Sequence, residues 1–299
     1  EQNLLRAETY QGVHDYVNSA ADESGRQLGS MVILPSSFAG TPRNMVQNFQ
    51  DAMAMICKLG KPDVFLTFTC NPKWQEITSN LAPGQYASDR PDLVARVFNL
   101  KLRELLKDLT ERYVLGKSTA YIDVIEFQKR GLPHVHLLLH LAEEDKLTEA
   151  SDIDSLISAE LPDPIEEPEL FNIVQSCMMH GPCGEDNPNC PCMQDNKCSK
   201  HFPKEFCDET IPNSNGYPKY RRRRDGRTVA KKCPDGRIVY LDNRYVVPYC
   251  PWLSKKYNAH INVEVCSSMK SVKYLYKYMY KGHDCANVFF SIRIFSSRK

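Results

Sequence analysis

Three short stretches alternate apolar and polar side chains with the period of two that marks a β-strand. In residues 63–69, Val64, Leu66 and Phe68 fall on one face and Phe65, Thr67 and Thr69 on the other. Residues 121–128 alternate in the same way. In residues 259–265, Ile261, Val263 and Val265 oppose His260, Asn262 and Glu264. Longer-period patterns predict helices. One opens at Thr41 with Pro42, carries Met45, Phe49, Ala52, Met53 and Ile56 on one side, and closes at Gly60. A second runs over residues 91–113, with Leu93, Val97, Leu100, Leu105 and Leu109 among its apolar positions. A third spans residues 269–281, with Ser267 or Ser268 as cap and Gly282 as stop. Residues 239–247 read as a further strand, and residues 248–256, which contain Trp252, as a turn-rich segment. Residues 1–29 are polar and weakly patterned.

Candidate chemistry lies where the strand over 121–128 turns into the next. The stretch Glu126-Phe127-Gln128-Lys129-Arg130-Gly131-Leu132-Pro133-His134-Val135-His136 reads as two adjacent strands joined tightly. Side chains two apart on a strand share a face. His134 and His136 therefore point the same way, as do Glu126 and Gln128. If the two faces coincide, two imidazoles and one or two oxygen donors converge on an open divalent-metal site; the plainer alternative is a pair of half-buried histidines. On the third helix, Met269, Val272, Leu275, Tyr276 and Met279 share the apolar side, which sets Tyr274 and Tyr278 one turn apart among Lys270, Lys277 and Lys281.

Together these motifs resemble the HUH endonucleases, and the doubled Tyr274-x-x-Lys277-Tyr278-x-x-Lys281 is similar to the two-tyrosine Rep nuclease of Helitron transposases. Matching stretches include residues 65–74, His180-Gly181-Pro182-Cys183, and Asp242-Asn243-Arg244 leading into Val246-Val247-Pro248. The resemblance covers roughly residues 30–290. It implies an α+β fold with an HUH/Rep-type central antiparallel sheet flanked by helices and an inserted zinc-binding subdomain. The expected divisions are residues 1–40 as an N-terminal segment, 41–170 and 213–299 as the two parts of the nuclease domain, and 171–212 as the zinc insertion. It further implies a metal-dependent single-stranded DNA endonuclease and strand transferase of a rolling-circle transposon. Tyr274 and Tyr278 would act as nucleophiles forming a 5'-phosphotyrosine, assisted by Lys277 and Lys281. His134 and His136 would hold Mg2+ or Mn2+, with Gln128 as the third ligand and Glu126 as runner-up. Contacts to DNA are expected from Thr67, Asn71, Trp74, His260 and Asn262. A rolling-circle replication initiator and a non-catalytic zinc-stabilised DNA-binding module are the competing readings.

Charge sharpens the picture. The net charge is +1, yet residues 1–196 carry 16 Lys and Arg against 29 Asp and Glu, a net of −13, while residues 197–299 carry 22 against 8, a net of +14. A phosphate-rich partner would be held mainly by the second part. Within it, Lys219, Arg221, Arg222, Arg223 and Arg224 form the densest stretch, expected to track a DNA backbone. Eleven acidic residues in 143–169 read as a solvated excursion. Of the twelve cysteines, Cys177, Cys183, Cys190, Cys192, Cys198 and Cys207 crowd together with His180 and His201. In a chain without a secretion-signal pattern, metal binding accounts for such a cluster better than disulfides. His180, Cys183, Cys192 and Cys198 are the expected structural zinc ligands, matching the His-Gly-Pro-Cys, Pro-Cys-Met and Cys-Ser-Lys of similar transposases; Cys177, Cys190, His201 and Cys207 stand in reserve. No apolar run is long enough to span a bilayer, so the chain is expected to be intracellular and, as a transposase, nuclear. No Walker-type phosphate loop is present. The helicase of such transposases is expected as a C-terminal partner on the same polypeptide.

Overall fold

A computed structural model describes Ser37, residues 42–127, 131–212 and 217–266, and the backbone of residues 286–289. In chain order its main elements begin with α1 (Pro42–Leu59), β1 (Val64–Thr69), α2 (Gln75–Thr78) and α3 (Pro91–Thr110). The strands β2 (Ser118–Phe127) and β3 (Pro133–Leu141) and the helices α4 (Ala150–Leu156) and α5 (Pro168–Cys177) follow. Two short hairpins come next, β4 (Met193–Gln194) with β5 (Lys197–Cys198), and β6 (Val229–Lys232) with β7 (Ile238–Leu241). The last elements are α6 (Pro251–Tyr257), β8 (His260–Val265) and β9 (Ala286–Phe289).

The core sheet has the order β8-β1-β3-β2-β9, with every neighbouring pair antiparallel. The expected α+β class with a central antiparallel sheet and flanking helices is borne out. β3 lies in the middle and is buried at all nine positions, which explains its unbroken run of leucines: both faces are covered. On one face Val64, Leu66, Phe68, Val135, Leu137, Leu139, Ile261 and Val263 meet Val94, Phe98, Leu102, Leu105 and Leu109 of α3. Burying five such helix side chains is worth on the order of 10 kcal/mol before chain entropy is counted. On the other face Phe65, Ile122, Val124 and Leu138 meet Ala52, Met55 and Ile56 of α1. That helix covers only part of its face. The polar positions of β1, β3 and β8 lie beyond its apolar contacts.

Several expected elements take another form. Leu100 is 67% exposed, because Phe98 and Leu102 carry the buried stripe of α3 instead. The strand expected over residues 239–247 stops at Leu241. There the Asp242 side chain accepts the Arg244 N–H and starts a 3-10 turn over Asn243–Tyr245. The turn-rich segment around Trp252 is helix α6, with Pro251 in its first turn and Asn258 ending it at φ 42°.

The acidic stretch is solvated only in part: Glu143, Glu144, Glu149, Glu166, Glu167 and Glu169 are exposed, while Asp154, Glu160 and Asp163 pair with arginines. Glu160 accepts from Arg223 through both carboxylate oxygens, Nη2–Oε2 at 2.7 Å and Nε–Oε1 at 3.0 Å, and also from the Arg223 backbone N–H at 2.6 Å. Arg221 reaches Asp154 at 3.2 Å, and Arg227 reaches Asp163 at 2.8 Å. Opposite charges that lie some 60 residues apart in the chain thus join across a second, smaller core of Leu161, Leu170, Val174, Met178, Val246 and Tyr249. Among the described residues no helix is long and apolar enough to cross a membrane.

Candidate metal centre and its surroundings

Antiparallel register decides which side chains meet. Glu126 of β2 stands opposite His134 of β3, and Thr67 of β1 stands opposite His136. All four therefore project from the face that α1 covers only in part. The His134 and His136 rings cross at 89°, bringing their Nε2 atoms to 2.9 Å. Glu126 Oε2 lies 3.3 Å from one Nε2 and 3.7 Å from the other. The three ligand atoms fall within 4.8 Å of one another. Two donors bound at right angles about 2.1 Å from one ion are about 3.0 Å apart, so the paired nitrogens fit a shared cation.

The His136 ring is held from behind. Thr67 Oγ1 lies 3.1 Å from His136 Nδ1 in a hydrogen bond, and Phe65 stacks on the same imidazole at 5.7 Å with an interplanar angle of 9°. Burial pushes the His136 pKa down to about 4, and the neighbouring His134 adds to the effect. His136 is therefore neutral at pH 7, the form that donates a lone pair to a metal. Glu126 occupies the third position; Gln128, the first choice from the sequence, lies outside the described residues. So do Tyr274, Tyr278, Lys277 and Lys281.

A second cluster forms from His180, Cys183, Cys192 and Cys198, again within 4.8 Å. His180 Nε2 and Cys198 Sγ are 3.3 Å apart, close to the roughly 3.5 Å separating nitrogen and sulfur ligands on a tetrahedral zinc. His180 stacks on Phe202 at 4.2 Å. Gly181 between His180 and Cys183 has φ 98°, and a Cβ there would lie 3.3 Å from the Cys183 nitrogen, so a side chain would crowd the turn that brings the two ligands together. Burial works against ionising Cys198, but the N–H groups of Phe202 and Lys200 outweigh it and hold the thiol below its ordinary pKa. Burial pushes Cys183 up to about 11. The reserve residues take other roles: Cys190 lies 3.5 Å from Cys192 without joining the four, Cys207 donates to the Glu209 carbonyl, and His201 is exposed.

The residues expected at DNA divide. His260 and Asn262 share the face of the histidine pair, opposite Thr69 and Thr67 respectively. Asn71 bridges a turn, donating to the Asn258 carbonyl at 2.7 Å and accepting from Lys73 N. Trp74 is 4% exposed and donates to the Tyr257 carbonyl, which makes it a core residue. Arg222 is 3% exposed, its Nη1 donating to the carbonyls of Ala159, Asn243 and Val246. Arg221 and Arg223 are held by carboxylates. Lys219, Arg223 and Arg224 are exposed; Lys219 pairs with Glu205 at 3.1 Å, and Arg224 lies over the Phe206 ring.

The family model described as the Helitron helicase-like domain at the N-terminus matches residues 1–139. This part of the chain is Helitron-like. The match takes in β1, β2 and β3 through Leu139, and with them Thr67, Glu126, His134 and His136. The match supports a Helitron transposase-related role for this part of the chain. No curated protein matches the chain. Sequence reasoning missed Phe65 as the ring behind His136, although its parity with Thr67 was readable.

Proposed function

We propose that this Helitron-like chain is an HUH-type, metal-dependent nuclease that nicks and rejoins single-stranded DNA. The observation that carries the reading is the convergence of Glu126, His134 and His136 within 4.8 Å on one sheet face, inside the segment that matches the Helitron domain. Imidazole and carboxylate donors suit Mg2+ or Mn2+ there, while the His and three Cys suit a structural zinc. When bound, the hard cation would offset negative charge developing on the phosphoryl oxygens.

The residues of the chain do the rest. Thr67 and Phe65 fix the His136 ring, and burial keeps it neutral. Tyr274 or Tyr278 supplies the phenol oxygen that attacks phosphorus; the phosphorus–O3' bond breaks and the 3'-oxygen leaves with a proton. The product is a 5'-phosphotyrosine and a free 3'-hydroxyl, so the bond energy is kept for rejoining. Lys277 and Lys281 would neutralise phosphate. His260 and Asn262 lie on the same face for a strand to cross, and Lys219 and Arg224, both exposed, would meet it from the basic stretch.

Incubation with a labelled single-stranded oligonucleotide and Mn2+ should give an SDS-resistant adduct. The adduct should vanish in His134→Ala with His136→Ala and in Tyr274→Phe with Tyr278→Phe. A shifted band without any adduct under all metal conditions would replace this reading with that of a binding module.

A further inference from the structure

Helix α3 buries one side in the main core and turns the other outward. On its 3.6-residue turn, Arg96, Asn99, Leu100, Arg103 and Lys107 fall within an arc of about 100° and run about 16 Å along the axis. All five are exposed, Leu100 to 67%. Because α3 covers the sheet face opposite α1, this stripe and the histidine pair lie on different sides of the sheet.

Charge pairing passes the stripe by. Beside it Lys101 reaches Glu76 at 2.7 Å, and Glu104 reaches Arg112 at 2.6 Å. Asp108 is held by Lys256 at 2.7 Å, and Asp92 pairs with Arg90 at 2.9 Å. The remaining acid of the segment, Glu111, stands one turn beyond Lys107. Among the described residues Arg96, Arg103 and Lys107 form no ion pair and no side-chain hydrogen bond, and Asn99 forms no side-chain hydrogen bond. Three unpaired cations therefore stand in a row in the part of the chain that is acidic overall.

The neighbours of these cations narrow the choice of anion. Leu100 is the one strongly exposed apolar side chain on the stripe, whereas a protein interface centres on an apolar patch depleted of charge. Nucleic-acid interfaces are polar and positively charged. The major groove of duplex DNA, about 12 Å wide, admits an α-helix. There arginine reads guanine, asparagine reads adenine, an apolar side chain meets the thymine methyl, and lysine meets phosphate. The outer face of α3 carries each of these types.

We propose that this face docks in the major groove of duplex DNA, on the side of the sheet away from the histidine pair. The protein would then hold a double-stranded segment with one face while a single strand is worked on the other. The choice of DNA rests on the nuclease reading above; the duplex contact is tested without cleavage. Fluorescence anisotropy with a duplex about two helical turns long, read from about 50 to 300 mM salt, compares the wild type with Arg96→Gln, Arg103→Gln and Lys107→Gln combined. The triple variant should bind roughly tenfold or more weakly at the lowest salt, and its slope of log K against log salt should shrink by about 2 to 3. Asn99→Ala with Leu100→Ala removes no charge, so it should weaken binding at an unchanged slope. Neither change should alter adduct formation with a single-stranded oligonucleotide. In the unmutated protein, bound duplex should slow the acetylation of Lys107.

A triple variant that keeps wild-type affinity and slope overturns the docking face, as does a Lys107 acetylated at the same rate with and without duplex. Polyglutamate bound as tightly as the duplex, and lost in the same variant, hands the stripe to an acidic protein instead. Adducts absent from the wild type end the nuclease reading while the duplex comparison stands. Intact adducts beside an unchanged slope end the docking face alone.

Discussion

At the scale of single residues, Asp123 shows how a strand position sets a charge's cost. It is 2% exposed on β2, its Oδ1 has no hydrogen-bond partner among the described residues, and burial pushes its pKa up to about 7. A carboxyl whose folded value lies above its unfolded value of about 3.8 contributes stability at low pH, and loses it as pH rises toward and through 7. Asp123→Asn should therefore stabilise the protein at pH 8, by up to about 4 kcal/mol on the pKa difference, and make little difference at pH 4. Thermal melts at both values check this; a variant less stable than wild type at pH 8 would mean the carboxylate has a partner it needs. Much at this scale was legible, because period-two parity is local: it put His134 with His136 and Thr67 with Thr69. The burial of Trp74 and Arg222 was not, since each depends on carbonyls contributed from distant segments, Tyr257 for one and Ala159, Asn243 and Val246 for the other.

Among elements, the cysteine-rich loop has little apolar content of its own and is positioned by its four ligands and by bonds to its neighbours. Two of these bonds are His180 N–H to the Tyr245 carbonyl and Lys204 N–H to the Arg244 carbonyl. A structural zinc contributes on the order of 10 kcal/mol of apparent binding free energy. Purified protein should hold one zinc per chain. Cys190→Ser should keep it, because that sulfur lies outside the four, whereas Cys183→Ser or Cys198→Ser should lose it and lower the melting temperature. Elemental analysis decides, and two ions per chain would show that the reserve ligands form a site of their own. The eight candidates were narrowed to these four through short spacing and resemblance to known motifs. Helix α6 was missed for a related reason: Pro251 and Asn258 look like turn formers in sequence, and only packing of Leu253 and Tyr257 into the main core shows that they bound a helix.

Over the whole molecule, the charge asymmetry between the two parts of the chain was plain in composition, but its use was not. A sum over sequence cannot show that Glu160 would meet Arg223, so the positive part looked like a DNA surface when much of it is an internal brace. Burial pushes the Glu160 carboxyl up, yet the bonds from Arg223 and the charge of Arg221 outweigh this and hold it below its ordinary value. A depressed carboxyl pKa contributes stability that is complete above the unfolded value near 4.5 and is lost as pH falls through the folded one. Glu160→Gln should therefore lower stability at pH 7 by about 2 kcal/mol, with the gap to wild type narrowing below pH 4. Arg223→Ala should likewise lower the melting temperature while leaving the salt dependence of single-stranded DNA binding untouched. For the wild type that dependence should match three or four phosphates, a slope of about −2 to −3, far short of what the count of basic residues in the second part suggests. A steeper slope that drops with Arg223→Ala would mean that the strand displaces Glu160, turning the brace into part of the binding surface.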